Sequence, residues 1–262
     1  MIRSIFISGA AAGIGKATAL RFLQEGWLVG AYDRDSAGLK ALQQAADNSE
    51  QLICGPLDVT DIESWQQALE HFTSYTGGKL NLLFNNAGIL FSGSFTTIPL
   101  AQQQATLRVN SEGVLNGCYL AFPYLQAAAA GGPGRAKVVN MSSASAIYGQ
   151  PSLATYAASK FAVRAFTEAL NIEWHGHDIQ VMDIMPLFVQ TAMVKDMDAG
   201  TIRKLGVRIN AETIANKVWQ LSHYSGNKVH WLVGWQTHIL AFLSKLSPTW
   251  LTRLSNKHMA DL

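Results

Sequence analysis

The chain has 262 residues, 48% of them hydrophobic and 15% charged, with a formal net charge of +2. This composition fits a single α/β domain able to bury a sizeable core, and the lack of clustered Lys/Arg excludes a nucleic-acid footprint. Cys54 and Cys118 match neither a metal spacing nor a disulfide framework, which favours a reducing cytoplasm.

The opening "MIRSIFISGA" is basic and apolar, but its apolar part is too short for a signal peptide. No run approaches the ~20 apolar residues that a membrane span requires. Short β-branched or apolar runs then alternate with helix-length spacers. In chain order they are SIFIS (4–8), LVGAY (28–32), QLICGPL (51–57), LNLLFNN (80–86), AKVVNMS (136–142), IQVMDIM (179–185) and KVHWLV (228–233). This alternation predicts a doubly wound α/β fold of Rossmann type: about seven parallel strands with helices on both faces, in one domain over 1–262. The stretch AAAAGGPGR (127–135) reads as a helix end and a turn rather than a linker.

The first run leads into Ser8-Gly9-Ala10-Ala11-Ala12-Gly13-Ile14-Gly15, followed by a helical pattern that ends at Gly26. Glycines at a strand-to-helix turn let backbone approach a ligand and aim helix-start N–H groups at it, which suits a pyrophosphate. The spacing is G-x-x-x-G-x-G rather than G-x-G-x-x-G, so a tight structural turn is an equal reading of the cluster alone. Asp33 stands at the end of the second run, about twenty residues past the glycines, where a carboxylate accepts hydrogen bonds from an adenosine ribose. Capping of the next helix is the plainer alternative for it.

Further along, Tyr156 and Lys160 open a helical pattern and share one face at i and i+4. A neighbouring ammonium favours the phenolate, so the pair forms a plausible acid/base device for an alcohol or carbonyl. His175 and His177 straddle Gly176 where that helix is expected to end; without a third ligand nearby they read as dipole partners, and no metal is predicted.

Taken together, these motifs resemble the classical short-chain dehydrogenases/reductases from about Ser4 to about Leu221. SGAAAGIG is similar to that family's T-G-x-x-x-G-I-G turn, with Ser8 in place of Thr. LDV, with Asp58 and Val59, is similar to its adenine-contacting element, and Asn85-Asn86-Ala87-Gly88 to its N-N-A-G strand end. Asn110 falls at the family's structural-catalytic asparagine, and Ser143 stands thirteen residues before Tyr156, the family's interval.

The resemblance implies roles for these residues. Tyr156 would be the general acid/base, Ser143 would hydrogen-bond the substrate oxygen, and Lys160 would lower the Tyr156 pKa and hold the nicotinamide ribose. Asn110 would bind a relay water, and Ser142 would point elsewhere. Ser8, Gly9, Gly13, Ile14, Gly15, Asp33, Arg34, Asp58, Val59, Asn86, Ala87 and Gly88 would bind cofactor, together with Tyr156 and Lys160.

After the sixth run, Pro186-Leu187-Phe188-Val189-Gln190-Thr191 stands where the family has P-G-x-V-x-T. Pro186, Val189 and Thr191 would complete the cofactor set. Leu187 in place of Gly requires an ordinary backbone conformation there, and its side chain either lines the pocket or packs inward. Ser145, Tyr148, Leu187, Phe188 and Met193 form the expected substrate pocket, under a mainly apolar lid segment at 192–212.

A carboxylate at Asp33 and the absence of a cation among Ala10, Ala11 and Ala12 favour NAD over NADP, although Arg34 is well built for a phosphate. The leading expectation is therefore an NAD(H)-dependent oxidoreductase acting on a lipophilic secondary alcohol or ketone, as a cytoplasmic homodimer or homotetramer. Its alternatives are an NADP(H)-dependent carbonyl reductase, an enzyme for acyl-carrier substrates, and a non-enzymatic cofactor-binding regulatory protein. Chain length and glycine spacing argue against a nucleotide-sugar epimerase.

Finally, the extension 234–262 carries Trp235, Ile239, Phe242, Leu243, Leu246, Trp250 and Leu254 at helical spacing, with Lys245, Arg253 and Lys257 between them. Packing on the domain or on a partner subunit is favoured over rest on a membrane surface.

Overall fold

The computed structural model describes residues 3–132, 134–191 and 206–259. Seven strands, β1 (Ser4–Ser8), β2 (Leu28–Asp33), β3 (Leu52–Pro56), β4 (Leu82–Asn85), β5 (Ala136–Met141), β6 (Ile179–Pro186) and β7 (His230–Val233), form one sheet in the order β3-β2-β1-β4-β5-β6-β7. Every neighbouring pair is parallel. The order reverses between β1 and β4, and in such sheets the crevice outside the carboxyl ends at this switch point is the ligand site.

The expected runs and the observed strands differ at their ends. Asn86, included in the fourth run, leaves the ladder because its side-chain amide donates to the Ser8 and Gly9 carbonyls at 3.1 and 2.8 Å.

Alternation along the strands divides the core. Ile5 and Ile7 of β1 face one side with Ala19 and Phe22 of α1 (Gly13–Gln24), Leu39 and Leu42 of α2 (Ser36–Ala45), and Ile214 and Val218 of α7 (Ala211–His223). Phe6 faces the other side with Trp65, Leu69 and Phe72 of α3 (Ile62–Ser74), Ala121 of α5 (Gly113–Ala129) and Val163 of α6 (Ala154–Glu173). There the Phe6 and Tyr32 rings stack at 4.5 Å between centroids. Full burial of one such side chain contributes about 1.5–3 kcal/mol, so both layers hold the sheet that positions the site.

Local signals set the helix boundaries. Gly26, at φ +73°, ends α1 just past its last turn, where a side chain would be strained. The α2 cap is Asp35, which accepts the Ala37 and Gly38 N–H groups at 3.1 and 3.0 Å. Asp33, the last residue of β2, is therefore free of that duty. A π-helical turn at Arg108–Glu112 joins α4 (Leu100–Leu107) to α5 and holds Asn110; such turns are frequent at functional sites.

Met193 and most of the expected lid, residues 192–205, lie outside the described residues; Gly206 to Glu212 lead into and begin α7. The C-terminal extension forms two helices, α8 (Trp235–Leu246) and α9 (Thr249–Met259), broken at Ser247–Pro248. Their apolar stripe is exposed rather than packed on its own domain. Among the described residues no helix is long and apolar enough to cross a membrane, and no three His, Cys, Asp or Glu side chains are placed to hold a metal ion.

Candidate active site

A cavity of about 380 Å³ opens at the carboxyl ends of the strands and spans both halves of the sheet. On the β1–β2 side its wall is largely backbone. Gly9 takes φ +70°, and a Cβ there would lie 2.7 Å from the Ala87 Cα. Gly13, at φ +53°, sits against Thr191, with 3.2 Å from its built Cβ to the threonine methyl, so the turn after β1 meets the segment after β6. The N-terminus of α1 has Ala12 as its cap, with no side chain bonding the first N–H groups and no acid in its first turn. Gly13 and Ile14 bring that uncapped, dipole-positive end to the cavity wall.

Asp33 is half-buried at the rim of the same cavity. Its carboxylate accepts the Ala11 N–H at 2.9 Å and the Asp35 N–H at 3.0 Å, which fixes it and ties the glycine turn to the end of β2. Arg34 also lines the cavity and is exposed. Asp58 is held by the Thr60 hydroxyl and N–H at 2.7 and 2.9 Å; these bonds, aided by the Arg34 charge, hold its carboxyl below the usual range. Val59, Asn86, Ala87 and Gly88 complete this wall.

Two residues expected to bind cofactor stand behind the wall instead. The buried Ser8 hydroxyl accepts the Asn86 and Ala87 N–H groups at 3.1 and 3.3 Å and pins the end of β4 to the end of β1. Gly15 is a packing glycine: a Cβ there would fall 2.1 Å from the Gly9 carbonyl oxygen.

On the β5–α6 side the wall consists of side chains. Ser143, Tyr156 and Lys160 all line it. Lys160 is buried and its Nζ donates to the Met141 carbonyl at 2.8 Å. The expectation that Lys160 lowers the Tyr156 pKa is not what this geometry gives. The ammonium lies 5.6 Å from the phenol ring centroid, and burial pushes the phenol up to about 12 against a smaller opposing effect of Ser143. Burial also brings Lys160 down to about 8. Both groups are thereby driven toward their neutral forms.

Asn110 is fully buried and does not line the cavity. Its amide clamps the backbone of Ile89, accepting that N–H at 2.8 Å and donating to that carbonyl at 2.9 Å, with a further bond to Ser159 Oγ at 3.1 Å. It positions the loop after Gly88, a role that a sequence motif alone does not convey. Ser142 also lines the cavity, but its hydroxyl is turned to the Lys160 carbonyl at 3.4 Å.

The helix that carries Tyr156 and Lys160 is braced from behind. His230 on β7 bonds the buried Asp183 on β6 at 2.9 Å and Glu168 on α6 at 2.9 Å, and Glu168 also pairs with Arg164 at 2.8 Å. The hydrogen bond to Asp183 raises the His230 pKa.

Of the expected substrate pocket, Ser145, Leu187 and Phe188 line the cavity, whereas Tyr148 is half-buried outside it. Leu187 takes no positive φ, so it occupies the family's glycine position with ordinary backbone and lines the pocket. Sequence reasoning missed Ile89, Leu90 and Leu153, apolar wall residues in segments without a motif. It also missed Gln150, a buried side chain that accepts the Ser145 hydroxyl at 2.9 Å. Ser145 Oγ lies 3.3 Å from Ser143 Oγ, so Gln150 steadies the serine pair from outside the wall.

Residues 3–201 match the family model described as short chain dehydrogenase. The chain belongs to this family. As a short-chain dehydrogenase it is 34% identical over 193 residues to the 3-oxoacyl-(acyl-carrier-protein) reductase FabG of Thermotoga maritima, covering 73% of this chain and 76% of that one. It is 32% identical to the 3-ketodihydrosphingosine reductase of Bacteroides thetaiotaomicron over 70% of this chain and 62% of the relative. The structure of a 3-ketoacyl-(acyl-carrier-protein) reductase from Brucella melitensis complexed with NADH superposes with a TM-score of 0.79 at 25% identity, over 88% of this chain and 96% of that one. ElxO with NADP bound gives 0.78 at 23% identity over the same shares, a likeness of fold. As a member of the family the protein is an oxidoreductase with a Rossmann-type fold and a nicotinamide cofactor.

Proposed function

We propose that this short-chain dehydrogenase interconverts a secondary alcohol and a ketone on a lipophilic small molecule, with NAD(H) as cofactor. The carrying observation is that buried Ser143 and Lys160 and the Tyr156 hydroxyl meet in one cavity with the uncapped N-terminus of α1.

The residues present fit a dinucleotide. Backbone at Gly9 and Gly13 leaves room that a Cβ would fill, the helix N-terminus suits the pyrophosphate, and Asp33 suits the ribose hydroxyls. Asp58 and Val59 would hold the adenine, and Val189 and Thr191 the carboxamide. Bound there, the nicotinamide supplies or accepts a hydride.

The protein's own residues handle the oxygen and its proton. Tyr156 gives its proton to the carbonyl oxygen in reduction and takes the hydroxyl proton in oxidation. Ser143 donates to the same oxygen and stabilises the charge that develops on it. Lys160 would hold the nicotinamide ribose. Asn110 sets the loop that borders Gly88. The wall residues Ile89, Leu90, Leu153, Leu187 and Phe188 exclude water and favour a lipophilic substrate. The similarity to 3-oxoacyl and 3-ketodihydrosphingosine reductases supports an acyl chain on that substrate.

Exposed Leu107, Leu115, Tyr119, Phe161 and Ile172 on α4–α6 support a homo-oligomer. The preference for NAD over NADP rests on the Asp33 carboxylate at the rim of the cavity.

Titration with NADH and NADPH, followed by turnover of a panel of lipophilic ketones at the reduced-nicotinamide band, tests the reading. The wild type is expected to favour NADH. Asp33→Ala should weaken NADH roughly tenfold, consistent with about 1.4 kcal/mol for a lost charged hydrogen bond, and narrow the preference. An outright wild-type preference for NADPH would assign the ribose site to Arg34 instead.

A further inference from the structure

Helix α8 sits on the domain with its apolar face outward. Helical spacing places Trp235, Ile239, Phe242, Leu243 and Leu246 within about 100° of arc. They are 63, 47, 63, 51 and 67% exposed. The face turned to the domain holds the buried Thr237, whose hydroxyl bonds the Val233 carbonyl at 2.7 Å, and half-buried Leu240, Ala241 and Ser244, so most of the large apolar side chains point away from it. Burial on the protein's own core produces the opposite orientation. In α9, Trp250, Leu251 and Leu254 are likewise exposed, beside exposed Arg253 and Lys257. From Gly234 to Ala260 the sequence contains Lys245, Arg253 and Lys257 and no Asp or Glu.

We propose that α8 and α9 seat the protein on an anionic lipid surface, lying in the interface with their apolar faces down. Two features select this occupant. The first is charge: an unbalanced set of cations flanking apolar faces complements acidic headgroups. A second copy docking through the same faces would bring together two patches that each carry an excess of cations, since a two-fold contact pairs identical patches and the extension has Asp261 as its single acidic side chain. The second is side-chain type: Trp235 and Trp250 are suited to the headgroup boundary, with an apolar ring and a polar N–H. At 12 and 11 residues the helices are too short to span a bilayer, so they lie on it.

The placement has a functional consequence, whichever carbonyl compound the enzyme turns over. Val233 pairs in register with Pro186, a wall residue of the cavity, so α8 leaves the sheet beside the active site. A lipophilic substrate dissolved in the bilayer would meet the cavity without first entering water.

Co-sedimentation of the full chain with vesicles of phosphatidylcholine alone, and of phosphatidylcholine mixed with phosphatidylglycerol, tests the proposal. The protein should pellet with the anionic vesicles at low salt and be released at high salt. Phe242→Ser with Leu246→Ser should weaken this binding at least tenfold while ketone turnover and Tm are kept, because both side chains are already exposed. Arg253→Gln with Lys257→Gln should weaken it roughly thirty-fold on anionic vesicles. A wild type that stays in the supernatant with anionic vesicles at low salt overturns the proposal. So does equal binding to neutral vesicles, or a fall in solution molar mass of the Phe242→Ser/Leu246→Ser variant, which would mark the face as a subunit contact. Should that variant fold poorly, the salt and headgroup dependence of the wild type decides.

Discussion

The two sides of the cavity use different physics. On the β1–β2 side the wall is backbone, its polar groups are positioned by neighbours, and Asp33 is fixed by two N–H donors. On the β5–α6 side the wall is side chains, two of them driven toward neutrality by burial. The first side can recognise a ligand with little change in its own protonation. The second is set to move a proton, because neither Tyr156 nor Lys160 is stabilised strongly in its charged form before a partner arrives. Under the proposed function, binding and chemistry fall to separate halves of one sheet, and variants should separate them.

The sharpest break comes from Tyr156→Phe. Removing the hydroxyl should lower turnover by about 10²–10⁴ while leaving the Kd for reduced cofactor within a few-fold, read by stopped assays and cofactor fluorescence. Retained turnover would mean that the proton comes from elsewhere.

Gly15→Ala attacks the other half. The new methyl would lie 2.1 Å from the Gly9 carbonyl, so the turn must move. Thermal unfolding should show a loss of roughly 1–3 kcal/mol, with cofactor affinity falling alongside it. Unchanged affinity would show that the turn can relax without cost to the ligand site.

The third test concerns pH. Folding takes Lys160 from its ordinary 10.5 to about 8, so between these values the unfolded chain holds more protons and stability rises with pH. Tyr156 acts in the opposite sense from pH 10.0 to about 12, where the folded state holds the extra proton. Lys160→Met removes the first contribution. Its stability relative to wild type should be highest below pH 8 and decline toward pH 10.5, with a slope no steeper than about 1.4 kcal/mol per unit. A flat difference in chemical denaturation would place Lys160 in water rather than in the wall.

Most of the fold was legible because strand runs, glycine turns and helix stops are local signals. The Y-x-x-x-K pair was legible for the same reason, since four residues of helix decide which face two side chains share. Ser8, Gly15 and Asn110 were identified as members of the site, but what each bonds or packs against was not legible. Whether a hydroxyl faces a ligand or pins one strand end to another depends on a partner about eighty positions away, as for Ser8 and Asn86. Asn110 is similar, its amide being taken up by Ile89 and Ser159. Gln150 gave no signal, because its only distinction is burial beside Ser145.

By itself, then, the sequence determined the order of elements, the glycine turn, the carboxylate at the end of β2 and the spacing of the catalytic set, all consequences of neighbouring residues and helical or strand periods. Only the tertiary structure decided what surrounds each group. Burial raised the Tyr156 pKa and lowered that of Lys160, favouring the neutral form of each, and α8 rests on the domain with Thr237 buried and its apolar face outward. Periodicity states that a helix has two faces. Packing against the rest of the chain decides which of them meets water.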